Sequence, residues 1–179
     1  MGKIKFFMKN VYLFLCLGVL FLVSSCGSNR VRDDKQLSAP TVILVRHAEK
    51  ASGENPDLTL EGKARAQRLA VMLQNIPLQA VYSTNTRRTL QTAQPTADDH
   101  RLSVDKYDGD QLAAFAQKLI RQSRGKTILV VGHSNTTPAL AGMLAPGQTF
   151  AQFEDSDYDQ VWIVVNAGEP KAQVIKLHM

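Results

Sequence analysis

The sequence predicts an α/β fold, a three-layer α/β/α domain around a mostly parallel sheet with two hairpin strands at its C-terminal end. Two nearly identical aliphatic runs, "TVILV" from Thr41 and "TILVV" from Thr127, have the continuous β-branched character of strands covered on both faces. Segments with helical periodicity lie between them, and strand–helix alternation of this kind builds layered sheets. The closing runs "VWIVVN" and "AQVIKL" are joined by "AGEPK", a hairpin-length connection.

In chain order, the first strand ends at Val45 and runs into Arg46-His47. Thr59 is a good N-cap for a helix through "EGKARAQRLAVMLQ". "QAVYS" is a short strand, followed by a helical "TRRTLQTA" that Pro95 is expected to bend or end. "RLSVDKY" forms a strand that delivers Asp108. "DQLAAFAQKLIRQ" repeats apolar residues at Leu112, Phe115, Ala116, Leu119 and Ile120, the spacing of an amphipathic helix with Asp110 as its N-cap. Trp162 reads as core, with Phe150 and Phe153 as candidates for lining an entrance. The acidic "EDSDYD", Glu154 to Asp159, reads as a solvated loop.

Residues 1–26 precede this pattern and read as a targeting segment. Lys3, Lys5 and Lys9 stand before the apolar "VYLFLCLGVLFLV", which is too short for a comfortable bilayer span of about 20 residues and suits a signal-peptide core. The following "VSSCG" resembles the lipobox of bacterial lipoproteins, which implies lipidation of Cys26 and removal of the peptide before it. The expected localisation is therefore the cell envelope: exported, lipid-anchored to a bacterial membrane, facing the periplasm, with the outer membrane favoured. Residues 27–40 are polar and mixed in charge, as expected of a flexible tether, and 41–179 are expected to form the folded domain. The only other cysteine, Cys16, lies inside the leader, so no disulfide holds the exported domain. Without the leader, 18 basic residues face 16 acidic ones, a net of +2 that gives no footing for nucleic-acid binding.

Both aliphatic strands end in a histidine, His47 after Arg46 and His133 after Gly132, and ligands in open parallel sheets bind beyond the carboxyl ends of strands. "YSTNTRRTLQTA" supplies a third strand end, with Arg87 and Arg88 opening a helix. Guanidinium forks beside orphan helix N–H groups favour a phosphate.

On these residues the chain resembles the histidine phosphatase superfamily, the phosphoglycerate mutase-like group, in its first branch. Arg46-His47 is similar to that family's Arg-His-Gly signature, and Arg88 starts its Arg-x-x-Gln-Thr-Ala core. "LVVGHSNT" is similar to the segment carrying its second histidine, and Leu58 to Gly62 to its Leu-Thr-x-x-Gly helix start. The resemblance implies a phosphatase in which His47 attacks phosphorus and becomes phosphohistidine, which water then cleaves. Arg46 and Arg88 are expected to keep His47 deprotonated and, with His133 as a cationic donor, to bind the phosphoryl group. Arg87 is a surface neighbour. The leaving alkoxide needs a proton, for which Asp98, Asp99, Asp105, Asp108 and Asp110 are candidates; Asp108 is preferred and Glu49 is a weaker rival.

Two positions depart from the pattern. Ala48 stands where the family usually has glycine and would be strained if its φ had to be positive. Arg65 stands near a position where glutamine is frequent, a harmless change.

Metal-ligand spacings and a GxxxxGK[ST] loop are both absent from the sequence, so neither a metal nor another cofactor is implied. The chain is compact for a mutase of this family. The expected partner is a small phosphorylated substrate, in the envelope; a phosphohistidine protein and an inactive phosphate-binding module of the same fold are the alternatives.

Overall fold

The computed structural model describes residues 38–179. The leader, Cys26 and residues 27–37 lie outside the described residues. Ser38 and Pro40 are already bonded to the domain, through Gly125 N–H to Ser38 O (2.6 Å) and Ala167 N–H to Pro40 O (3.0 Å). The end of the expected tether is therefore docked.

The strands are β1 (Thr41–Arg46), β2 (Leu78–Thr84), β3 (Val104–Tyr107), β4 (Thr127–Gly132), β5 (Gln160–Val165) and β6 (Gln173–His178). They form one sheet in the order β3-β2-β4-β1-β5-β6. The first four run parallel, while β5 is antiparallel to β1 and β6 to β5, which makes the last two a hairpin. Helices α1 (Leu60–Leu73), α2 (Arg87–Asp99), α3 (Leu112–Gln122) and α4 (Thr136–Leu144) connect them.

The pleat of β1 and β4 explains the three layers. Ile43, Val45, Leu129 and Val131 face one way, into a core with Leu69 and Leu73 of α1 and Ala93 and Ala97 of α2. Val42, Leu44, Ile128 and Val130 face the other way, against Phe115 and Leu119 of α3 and Leu140 and Leu144 of α4. A fully buried Leu such as Leu119 contributes about 1.5–3 kcal/mol relative to exposure. Trp162 sits in the second core, packed by Phe150 and Phe153 with ring centroids at 5.0 and 4.9 Å.

Three local features differ from the sequence expectation. Pro95 does not end α2, which continues to Asp99. The segment buries Thr89, Thr92, Ala93, Thr96 and Ala97 on one face, so tertiary packing outweighs the lost backbone donor. Asp110 is not a helix cap: a single 3-10 turn (Gly109–Gln111) precedes α3, and Asp108 caps it, accepting from Asp110 N–H at 2.9 Å. The fourth helix, α4, is apolar nearly all round, with Pro138 in its first turn and Gly142 near its end, so it carried no amphipathic signal.

Candidate active site

Register brings the parallel strand ends to one edge. Arg46 pairs with Gly132, Ser83 with Val131 and Thr84 with Tyr107. His47 N–H donates to Gly132 O (2.9 Å), which ties the two histidine-bearing ends together. The His47 and His133 rings lie 5.5 Å apart, edge to face.

The loop after His47 is held by residues from α1 and α2. Ala48 N–H donates to Thr92 Oγ1 (3.0 Å), whose hydroxyl donates to Arg88 O (2.7 Å). Gln91 Oε1 accepts from Leu58 N–H (2.8 Å), while its amide nitrogen donates to Asp57 Oδ1 (2.7 Å). The Gln-Thr-Ala segment is thus scaffolding for the histidine loop. Thr59 caps α1 by accepting from Gly62 N–H (3.0 Å), and its own N–H donates to Glu49 O (2.9 Å). A Cβ on Gly62 would collide with that same carbonyl, so the helix start requires glycine. Ala48 is fully buried against Leu58 and Ala66. Among the described residues only Arg101 and Asn166 are non-glycines at positive φ, so Ala48 is unstrained.

His47 is 3% exposed. Its Nδ1 lies 2.8 Å from Ala48 O, an acceptor, so the ring proton sits on Nδ1 and Nε2 keeps its lone pair. The pKa falls to about 3, chiefly because burial disfavours imidazolium; the bond to Ala48 opposes the shift, and His133, Arg46 and Arg88 add to it. Both arginines act in the expected direction, with burial the larger cause.

Arg46, 4% exposed, is held by a segment that sequence reasoning had left in solvent. Its Nη1 donates to the carbonyls of Glu154 (2.7 Å), Asp155 (3.2 Å) and Asp157 (3.3 Å), and its guanidinium lies 4.3 Å from the Tyr158 ring centroid. Tyr158 in turn stands 6.0 Å from the His47 ring. Residues 154–158 thus cover the arginine. Across the site, Arg88 Nη2 approaches His133 Nδ1 (3.5 Å), and Thr84 Oγ1 lies 2.9 Å from His133 Nε2. Burial, then Arg88 and Arg46, lower the His133 pKa to about 4, so the ring is neutral in the unliganded protein, and the cation expected beside a phosphoryl group requires the bound ligand. Arg87 pairs with Asp57 at the surface (2.6 Å).

The carboxylates separate clearly. Asp108 is exposed at the carboxyl end of β3, where the next residue, Gly109, packs beside Thr84 and Thr136. Asp98 and Asp99 end α2, at the far end from Arg88, and Asp105 lies exposed within β3. Glu49 is bound by Arg65 through both carboxylate oxygens (2.6–3.0 Å), which holds its pKa low despite burial. Arg65 is therefore an anchor of the histidine loop. Thr84, Thr92 and Tyr158 were not singled out from the sequence; the two threonines were at least signalled by their place beside Arg88.

Phosphoryl transfer is catalysed by positioning and by charge directed at the equatorial oxygens. A neutral buried histidine between two guanidinium groups, at the carboxyl edge of a parallel sheet, suits that task, and the class defined by this fold and pocket is a phosphatase. The model of the histidine phosphatase superfamily (branch 1) matches residues 42–111, the stretch carrying Arg46, His47, Gly62 and Arg88. Over that stretch the chain is similar to that superfamily. It is 29% identical over 141 residues to a lipopolysaccharide core heptose(II)-phosphate phosphatase of Escherichia coli O1:K1, covering 70% of each chain. Among solved structures, the protein histidine phosphatase SixA complexed with tungstate aligns with a TM-score of 0.63 at 21% identity, covering 77% of this chain and 96% of that one. A putative alpha-ribazole-5'-P phosphatase of Escherichia coli K-12 aligns at 0.64 and 17%, covering 79% and 97%. At these identities the structural likeness speaks for the fold.

Proposed function

We propose that the chain is a metal-independent phosphomonoesterase working through a phosphohistidine on a small phosphoester of the cell envelope. The observation that carries the reading is the tautomer of His47: Nδ1 is committed to Ala48 O, so Nε2 of a neutral ring is available as nucleophile. Nε2 attacks phosphorus as the P–O bond to the leaving group breaks, and the departing alkoxide takes a proton. Water then attacks the phosphohistidine, the N–P bond breaks, and inorganic phosphate leaves with His47 neutral again. Arg88 and Arg46 bind the equatorial oxygens with His133. The Nη1 of Arg46 is committed to the loop carbonyls, which leaves its other donors for substrate. The Nε–H groups of both arginines are buried without a partner, and a tetrahedral oxyanion is a pure acceptor of the kind they lack. Asp108, exposed at the rim, is the proposed proton donor; Glu49, locked as a carboxylate by Arg65, is set aside.

The similarity to a lipopolysaccharide core heptose(II)-phosphate phosphatase supports a phosphorylated saccharide as the substrate class. An envelope location agrees with the leader and with lipidation at Cys26. Residues 27–179 are incubated with p-nitrophenyl phosphate and a panel of sugar phosphates, with and without EDTA, beside His47→Ala. Activity that resists EDTA, is lost in His47→Ala and leaves an acid-labile phosphoenzyme on rapid quench is expected. Unchanged turnover in His47→Ala refutes the mechanism. For the anchor, labelled palmitate enters the wild type and not Cys26→Ser; a label that survives the substitution refutes it.

A further inference from the structure

We propose that Thr84 is a positioning residue for His133: it fixes the ring proton on Nε2, so that a phosphoryl dianion is met by this ring only after Nδ1 takes up a proton. The inference rests on the reading of the pocket as a phosphate site.

The argument is one of counting donors. The single hydroxyl proton of Thr89 goes to Thr84 O at 2.9 Å, Thr86 O at 3.0 Å or Thr86 Oγ1 at 2.8 Å. Toward Thr84 Oγ1, 3.0 Å away, Thr89 can then only accept, so the Thr84 proton points at Thr89. Thr84 Oγ1 is left as an acceptor toward His133 Nε2 at 2.9 Å, and that nitrogen must carry the ring hydrogen. The other side of the ring gives the same answer. Nδ1 faces Arg88 Nη2 at 3.5 Å, and a guanidinium has only donors. A hydrogen on Nδ1 would set two donors against each other. Thr84 and Thr89 are 5% and 0% exposed, so water does not substitute for either hydroxyl.

The nitrogen beside Arg88 is the one lying where an anion bound by Arg88 would sit. In the neutral ring it is a lone pair and repels a phosphoryl oxygen. The charged and titratable groups around His133 are Arg88 from α2, Arg46 at the end of β1 and His47 in the loop that follows. Thr84 is the contact from β2, and Thr136 of α4 accepts from the His133 backbone N–H. Tyr107 of β3, which a Cβ on the neighbouring Gly132 would touch, stays neutral because burial raises it to about 12. Among the described residues, the carboxylate paired with a site arginine is that of Asp155, 3.9 Å from Arg46. The surroundings are cationic, which keeps the empty ring neutral, and an arriving dianion reverses the sign of the local potential.

The test uses the full chain in detergent. Two-bond ¹H–¹⁵N spectra at pH 7 are expected to place the His133 proton on Nε2 in the wild type and in Thr84→Ser, and to show loss of that preference in Thr84→Val. Titration with tungstate, a dianion that does not itself ionise near neutrality, is run in buffers of different ionisation heat. The wild type, Thr84→Ser and His47→Gln take up about one proton per tungstate, and Thr84→Val less than about half of that, with binding weakened by about tenfold. An Nδ1–H tautomer in the wild type, or tungstate binding without proton uptake, overturns the inference while leaving the pocket intact. No tungstate binding at all overturns the phosphate-site reading and the inference together.

Discussion

Acid should unfold this domain through its two site histidines, and the size of the effect can be worked from their burial. In the folded chain the pKa values of His47 and His133 lie at about 3 and about 4, against 6.5 for an unperturbed ring. Between those limits the unfolded chain binds more protons than the native one, so stability rises with pH. The full contribution is present above pH 6.5 and drains away as the pH falls toward 4. From pH 7 to 4.5 each histidine costs the native state about 2.5 kcal/mol, or about 5 for the pair, against a total stability of about 5–15 for an ordinary domain. The perturbation is the double variant His47→Gln/His133→Gln, which removes the titration. Urea unfolding of residues 27–179 is followed at pH 7.0 and 4.5. The stability of the wild type relative to the variant should drop by about 5 kcal/mol over this interval. The carboxylates titrate in both proteins and cancel. Parallel pH profiles for the two proteins would refute the claim that both rings, His47 buried and His133 half-buried, are neutral in the native state, and with it the account of the nucleophile.

Three further outcomes follow from the scaffold. Gly62→Ala pushes a methyl into Glu49 O and should cost about 1–3 kcal/mol in urea unfolding, with activity falling because the carbonyl belongs to the histidine loop. Arg65→Met leaves the Glu49 carboxylate without its guanidinium at a largely buried position; a loss of about 2–3 kcal/mol and a raised Glu49 pKa by ¹³C NMR are expected. Tyr158→Ala removes the ring over Arg46 and should raise KM by about tenfold in p-nitrophenyl phosphate hydrolysis, whereas Tyr158→Phe keeps the ring and the wild-type KM.

Much of this pocket was legible in the sequence because its chemistry is tied to local signals. A buried parallel strand announces itself by an aliphatic run, and the residue after the run is at the carboxyl edge whichever strand it pairs with. Arg46, His47, Arg88 and His133 could therefore be gathered without knowing the strand order. Thr59 as a cap and Gly62 as a glycine were equally local. Three matters could not be read that way. Asp110 looked like a cap because an acid precedes a helical repeat, but the chain turns two residues earlier and Asp108 does the capping. Pro95 looked like a terminus because propensity weighs the lost donor and not the buried threonines and alanines around it. The protonation of His133 depends on the ligand: the expected cation belongs to the phosphate-bound pocket, while in the empty one burial and two guanidinium groups act alone.

The acidic segment after α4 shows why the remaining part was hidden. "EDSDYD" is solvated by composition, and Glu154 and Asp155 are indeed exposed while Asp157 and Asp159 are partly so. Its contribution to the site is made by backbone carbonyls, which every residue has, reaching Arg46 across 108 to 111 positions of sequence. No residue type marks a carbonyl for that use. Backbone acceptors also suit the task better than carboxylates would: they satisfy Nη1 while leaving the guanidinium its net charge for the substrate. A carboxylate closed tightly on Arg46 would compete with a phosphoryl dianion, and the one that approaches, Asp155, stays at 3.9 Å with its side chain in solvent. The arginine is thus oriented by neutral groups and remains a cation in function, which is the condition the proposed chemistry sets.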